Sequence, residues 1–256
     1  MFWDIETARQ QEEAIRRVTR PFEQQPAPGE FNPANVKLGN TKDKDKIADK
    51  IQAARTAHEA AVKTYETDCE KAEAAYWQEK FADAALSAAT GRVVAIGCLS
   101  AENDKTLIIG EQEQDEGQII TKFWSLYRSM RTKKRVMVGV NIFLFDLPFL
   151  VRRSWILGID VPGTLRNGRY WDQSFVDLRE VWLLGQRWND CEFSLDHMAK
   201  SLGIGSKADG LAGECSGKTF AAMWESGDAH QREAARAYLV NDLELPRKIA
   251  ARMSIA

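Results

Sequence analysis

The 256-residue chain is poor in the residues that build imidazole and thiolate chemistry. Its 3 histidines are too few for a mechanism resting on several imidazoles. Cys69, Cys98, Cys191 and Cys215 are widely spaced and form no Cys-x-x-Cys pair, which argues against a zinc site and a disulfide frame. They read as reduced thiols, and a cytoplasmic location is expected. No apolar run approaches the roughly 18 residues of a membrane helix, so no membrane partner is expected. Met1-Phe2-Trp3-Asp4 has neither the basic start nor the apolar core of a secretory signal. A polybasic excess is missing too: 35 Lys and Arg face 37 Asp and Glu, for a formal net charge of −2. That balance does not exclude nucleic acid, because bound metal ions supply positive charge locally.

What is present is globular. Hydrophobic residues are 44% and charged residues 28%, which suits one large domain or one domain carrying an insertion. Residues 1–8 form a short apolar strand bearing acids. Pro21, Pro26, Pro28 and Pro33 then forbid continuous helix across the stretch they punctuate. Residues 42–89 contain no Gly and no Pro and are rich in Ala, Lys, Glu and Gln. They predict one long helix, broken near its end, with a thin Ala-rich stripe that one partner helix or surface would cover. From Thr90 the pattern turns to β: a buried strand at 92–99, a hairpin partner at 106–109, a helix around 119–130 and a strand at 136–140. A helix at 147–157, a strand at 175–178 and mostly helix thereafter complete the order. The expected fold class is α/β, a mixed β-sheet flanked by helices with a long helical insertion after the first strand. The expected division is a discontinuous catalytic domain, 1–8 and 90–256, and an insertion, 9–89.

Three segments carry acids. Asp4-Ile5-Glu6 lies in an extended strand, where residues two apart share a face, so both carboxylates project together. Asn141-Ile-Phe-Leu-Phe145-Asp146 places an acid just past a buried strand, though Asp146 also suits a plain helix N-cap before Leu147-Pro148. Tyr238 and Asp242, four apart, share one face of a helix. Clustered carboxylates repel and raise one another's pKa unless cations join them, and magnesium or manganese prefers such oxygen ligands.

Asp-x-Glu, Asn-x-x-x-Phe-Asp and Tyr-x-x-x-Asp, in that order on those elements, resemble the three motifs of the DEDD exonuclease superfamily, of ribonuclease H-like fold. Tyr238 resembles the tyrosine branch, since Ala237 stands where the histidine branch carries its His. Phe145-Asp146-Leu-Pro-Phe-Leu-Val-Arg-Arg153 and Asn241-Asp242-Leu-Glu look most like the proofreading exonuclease domain of family B DNA polymerases and its stand-alone bacterial and phage relatives. The likeness covers 1–6 and about 90–256, not the insertion. It implies a 3′–5′ exonuclease using two Mg2+ or Mn2+ ions. Asp4 would bridge the ions, Glu6 and Asp242 would complete the one nearer the nucleophile, and Asp146 would hold the other through water. Tyr238 would orient the attacking water, a phenol being a poor base at neutral pH.

Two departures stand out: Val140 where many relatives have His, and Pro246, which should kink or end the last helix. The substrate-contact candidates are Asn141, Phe145 as a base wedge or a core aromatic, and Arg152 or Arg153 as a phosphate ligand or an ordinary surface pair. The cluster Arg128, Arg131, Lys133, Lys134 and Arg135 suits a helix C-terminus at the sheet edge opposite the acids. Trp171 and Asp172 read as core and turn, and His58, His197 and His230 receive no role. The Gly-rich stretch 203–217 lacks the Walker lysine pattern and reads as a loop beside a substrate groove. The favoured substrate is the 3′ end of single-stranded DNA. The alternatives are RNA trimming of the ribonuclease D kind, and a scaffold or proofreading subunit whose helical arm docks a polymerase or a second copy.

Overall fold

The computed structural model describes residues 1–162, 174–187 and 191–255; Trp171 and Asp172 lie outside the described residues. The chain divides into two compact units, Met1–Ile15 with Ala84–Ala256, and Arg16–Asp83.

The larger unit is built on a five-stranded mixed sheet. Its strands are β1 (Phe2–Arg9), β2 (Gly91–Leu99), β3 (Thr106–Ile109), β4 (Met137–Gly139) and β5 (Phe175–Asp177), in the order β3-β2-β1-β4-β5. β1, β2 and β3 pair antiparallel, whereas β1–β4 and β4–β5 are parallel. A short turn closes the β2–β3 hairpin, and helices make the parallel crossings, as parallel pairing requires; the short helices are α1 (Glu12–Val18), α5 (Leu178–Leu183), α6 (Leu195–Ser201) and α7 (Phe220–Trp224).

The period-two pattern of β1 feeds two cores. Trp3 and Ile5 pack with Phe123, Trp124 and Tyr127 of α3 (Glu116–Thr132) and with Leu147 and Leu150 of α4 (Asp146–Leu157). Phe2 and Ala8 face the other way. Phe2 packs with Leu243 and Leu245, and Ala8 with Leu239, all on the helix Ala229–Arg252. Asp4 and Glu6 therefore belong to the face that this last helix covers.

Two glycines permit the close approaches. Gly97 pairs with Asp4 across the sheet, and a Cβ there would meet Leu239 and Leu243 at 2.9–3.0 Å. A Cβ at Gly139 would lie 2.5 Å from Ile142 and 2.9 Å from the Trp3 carbonyl, so only glycine lets β4 turn away there.

In the smaller unit, one helix fills 44–82 (α2, Lys44–Ala82), Asp43 capping its start. Its stripe is covered by an extended segment of the same chain, a cover the sequence reading did not foresee. Tyr76 donates to the Arg20 carbonyl (2.6 Å), Tyr65 to Gln25 (2.5 Å), His58 to Gly29 (2.7 Å) and Lys50 to Leu38 (2.7 Å). Partners descend as the segment advances, so it runs antiparallel to the helix. The prolines fit: a segment that gives its carbonyls to side chains has no need of the N–H groups that proline lacks.

Candidate metal centre

On β1, carboxylates two residues apart share the face toward α8 (the Ala229–Arg252 helix), and this brings Asp4 and Glu6 against Asp242. Oxygen atoms of Asp4, Glu6 and Asp242 all lie within 4.8 Å of one another. The register between β1 and β2 shifts between Glu6 and Thr7, a bulge of the kind that re-aims a strand side chain. α8 carries Tyr238 and Asp242 on one face, four residues apart. It does not end at Pro246. The helix runs on to Arg252, because the turns on either side bury Leu243, Leu245, Ile249 and Ala250, and this offsets the hydrogen bond that the Asp242 carbonyl forgoes.

Asp146 joins by another route. β1 and β4 pair only at Phe2–Val138, and β4 stops at Gly139. Among the described residues the β1 edge beyond that point has no ladder partner, and Asp146 Oδ1 accepts the Ile5 N–H at 3.2 Å. Asp146 is the first residue of α4 and is buried, so it is not a simple N-cap. It stands beside Asp4 without being one of the three oxygens' owners.

The loop that delivers Asp146 is organised by a residue the sequence reading passed over. Asp177, buried at the end of β5, accepts the N–H groups of Asn141 (2.7 Å), Phe143 (3.0 Å) and Arg179 (2.9 Å). Asn141 sits in the left-handed region (φ 63°), which asparagine tolerates better than most residues. Its carbonyl accepts from Leu144 and Phe145. What the structure shows for Asn141 is thus loop-shaping by its backbone.

Lys207 was missed altogether. Its Nζ lies 2.6 Å from Asp242 Oδ2 and 5.0 Å from the centre of the Tyr238 ring. The loop carrying it is pinned: Asn241 Nδ2 donates to the carbonyls of Ser206 and Lys207 (both 3.2 Å), and Asp196 accepts from Ser206 Oγ and Lys207 N (both 2.9 Å). The signal available in sequence was a lone lysine in the Gly-rich stretch, with no local pattern to mark it. The far end of that stretch also borders the site, for a Cβ at Gly217 would come 3.8 Å from the Tyr238 hydroxyl.

Electrostatics follow from crowding. Burial, then Asp146, Asp242 and Glu6, push Asp4 well above the carboxylate range; burial and Asp242 do the same to Glu6. Burial lifts Asp146 to about 7, with the Ile5 N–H pulling back. Burial raises Asp242, against the pull of Lys207. Burial opposes the charge on Lys207, but Asp242 and Tyr238 hold its pKa above the usual lysine value. Burial and Asp242 push the Tyr238 phenol up to about 12, so it is a donor at neutral pH.

The residues present fit a divalent cation. The donor set is all carboxylate oxygen, which hard cations prefer. Asp242 Oδ1 is buried with no hydrogen-bond partner among the described residues, an orphan that a cation would satisfy.

Arg153 is a correction. It is 3% exposed, and its guanidinium pairs both oxygens of Glu116 (2.8 and 2.6 Å) and donates to the Ala88 carbonyl (3.0 Å). Its donors are committed inside the core, so it is no phosphate ligand. Arg152, one residue earlier, points outward. Phe145 is half-buried, its ring 5.5 Å from that of Phe149. Arg128 pairs with Asp160 and Arg135 with Glu102, at the end of β4 opposite the one that leads to Asp146.

A largely buried, oxygen-only cluster on the sheet of an α/β domain makes a candidate metal centre. Residues 85–242 match the family described as predicted 3′–5′ exonuclease related to the exonuclease domain of PolB, and the chain belongs to that family. The match includes Asp146, Lys207, Tyr238 and Asp242; Asp4 and Glu6 precede it. Among solved structures, the family B DNA polymerase from the hyperthermophilic archaeon Pyrobaculum calidifontis is similar in fold, with a TM-score of 0.50 and 19% identity. That likeness covers 64% of this chain and 22% of that one. No curated protein matches. No helix among the described residues is long and apolar enough to cross a membrane.

Proposed function

We propose that the protein is a divalent-cation-dependent 3′–5′ exonuclease acting on the 3′ end of single-stranded DNA. The observation that carries this reading is the convergence of Asp4, Glu6 and Asp242 within 4.8 Å, with one Asp242 oxygen orphaned. Asp4, Glu6 and Asp242 would hold one Mg2+ or Mn2+ ion, and Asp146 would take part in holding a second beside Asp4. When bound, such ions neutralise charge developing on phosphoryl oxygens and acidify water. The chain's own groups do the rest. Tyr238, kept protonated, donates its O–H and orients a water molecule. Lys207 fixes Asp242 and adds positive charge where an anionic substrate must enter. Asp177 holds the 141–145 loop, and through it Asp146. DNA is favoured because the family is related to a DNA polymerase's exonuclease domain.

The test is digestion of 5′-labelled single-stranded DNA, with an RNA of the same sequence beside it. A ladder of 3′-shortened products that requires Mg2+ or Mn2+, and disappears in folded Asp4→Ala and Asp242→Ala variants, is expected. Undiminished activity in either variant ends the proposal, and equal or faster RNA decay replaces DNA as the substrate.

A further inference from the structure

The run Arg128–Arg135 puts five cations and no acid into eight residues of a chain whose net charge is −2. Two of them are committed, Arg128 to Asp160 and Arg135 to Glu102. A helix C-terminus accounts for cations in the last turn only. α3 ends at Thr132, and Lys133, Lys134 and Arg135 lie beyond it, all exposed. Among the described residues Lys133 and Lys134 make no ion pair.

The backbone at Lys134 adds a second observation. Its N–H donates to the Arg131 carbonyl (2.9 Å) and the Arg135 N–H to the Met130 carbonyl (3.0 Å), the two bonds of a Schellman cap. Lys134 has φ 53°, the left-handed conformation that glycine usually fills in this cap. A side chain there is strained, so a lysine in that place points to a use for its ammonium.

Beside these cations a cavity of about 300 Å³ opens at the start of β4. Met130, Val136 and Val138 give it apolar walls, and Lys134, Arg135 and Glu102 stand at its rim. Glu102 shows what the rim accepts: its carboxylate lies 2.8 Å from the Arg135 guanidinium. Both partners are exposed, so the pair is weak and exchangeable. An apolar cavity with a cationic rim fits an acidic peptide that carries one large apolar side chain among its carboxylates. A nucleic acid fits less well. Phe2, the aromatic residue at the cavity, is 1% exposed and offers no ring face to a base. The place agrees with a partner rather than a substrate, since Val136 precedes β4 whereas Asp146 lies past its other end.

We propose that Lys133, Lys134 and the cavity beside them dock an acidic segment of a separate protein. The ammonium groups meet its carboxylates and the cavity takes its apolar side chain. The inference stands apart from the exonuclease reading, because no residue of the acid cluster contributes to it.

The probe is a fluorescein-labelled peptide, Asp-Asp-Leu-Asp-Asp-Glu, whose binding to the full chain is followed by anisotropy at about 0.15 M salt. Wild-type protein should bind it, less tightly as salt rises, and should bind a peptide with Ser in place of Leu about tenfold more weakly. Lys133→Gln combined with Lys134→Gly should weaken binding of the Leu peptide about tenfold. Glycine suits the cap, so the melting temperature should hold or rise; a lysine with a purely structural role would show the opposite. Val136→Ser should narrow the preference for Leu over Ser and leave the salt dependence in place. Equal affinity for the two peptides, or indifference to the lysine substitutions, overturns the proposal. An oligothymidylate that binds where the peptide does not, and is lost in the double variant, also overturns it and assigns the patch to phosphate. A dimer that the double variant abolishes does so as well, giving the surface to a second copy.

Discussion

Lys207 Nζ sits 2.6 Å from Asp242 Oδ2, and the residue next to Asp242, Asn241, holds the backbone of that same lysine. The helix thus supplies an acid and also fixes the cation that serves it. Within the acid cluster the ammonium offsets repulsion between carboxylates that burial already drives toward protonation.

Lys207→Met should therefore destabilise the cation-free protein by about 1–3 kcal/mol, a melting shift of several degrees. The carboxylate left behind is buried, but the lysine is partly solvated, which keeps the cost below that of a fully buried pair. The added stability on titrating Mn2+ should grow, because the ion then has more uncompensated charge to relieve. A melting temperature equal to wild type without Mn2+ would show that the contact carries no weight.

The acid cluster also sets a pH dependence. Asp4, Glu6, Asp146 and Asp242 all have folded-state pKa values above their ordinary ones, burial being the first cause in each case. The folded protein then holds more protons than the unfolded chain, so stability falls as pH rises. For Asp146 the window runs from its ordinary 3.8 to about 7. Without divalent ions, urea midpoints attributable to the cluster should decline between about pH 4 and 7, and Asp146→Asn should flatten part of the decline. Mg2+ or Mn2+ should stabilise more at pH 7.5 than at pH 5, since ligation needs ionised carboxylates. A stabilisation by Mn2+ that is greater at pH 5 would contradict this ordering.

Arg153 and Glu116 give a prediction about the core. Arg153→Met removes a guanidinium that is 3% exposed and leaves Glu116 without its main partner. A loss of about 3–5 kcal/mol in urea unfolding is expected, and Arg153→Met, Glu116→Gln together should recover part of it. Affinity of the surviving folded protein for oligonucleotide should not move. A selective loss of affinity at unchanged stability would return Arg153 to the substrate.

Several features were legible because they depend on local rules alone. Alternation along an extended strand places Asp4 and Glu6 on one side whatever packs there, and four-residue spacing pairs Tyr238 with Asp242. A stretch without Gly or Pro made α2, whose observed bounds, Lys44–Ala82, fall inside the expected 42–89. Asp146 was visible as an acid after a strand, but its use as a stand-in ladder partner for Ile5 was not. That depends on β4 leaving β1 after one residue pair.

The sequence by itself determined the periodicities: which residues are extended, which helical, and which acids share a face. Tertiary structure alone decided the partners. It put Arg153 inside and Arg152 outside although they are neighbours, brought Lys207 to Asp242 across 35 residues, and laid 20–38 along α2. It also carried α8 through Pro246. The physical reason is that backbone geometry repeats over a few residues, whereas burial and charge pairing are settled by surfaces that meet only after the chain has folded.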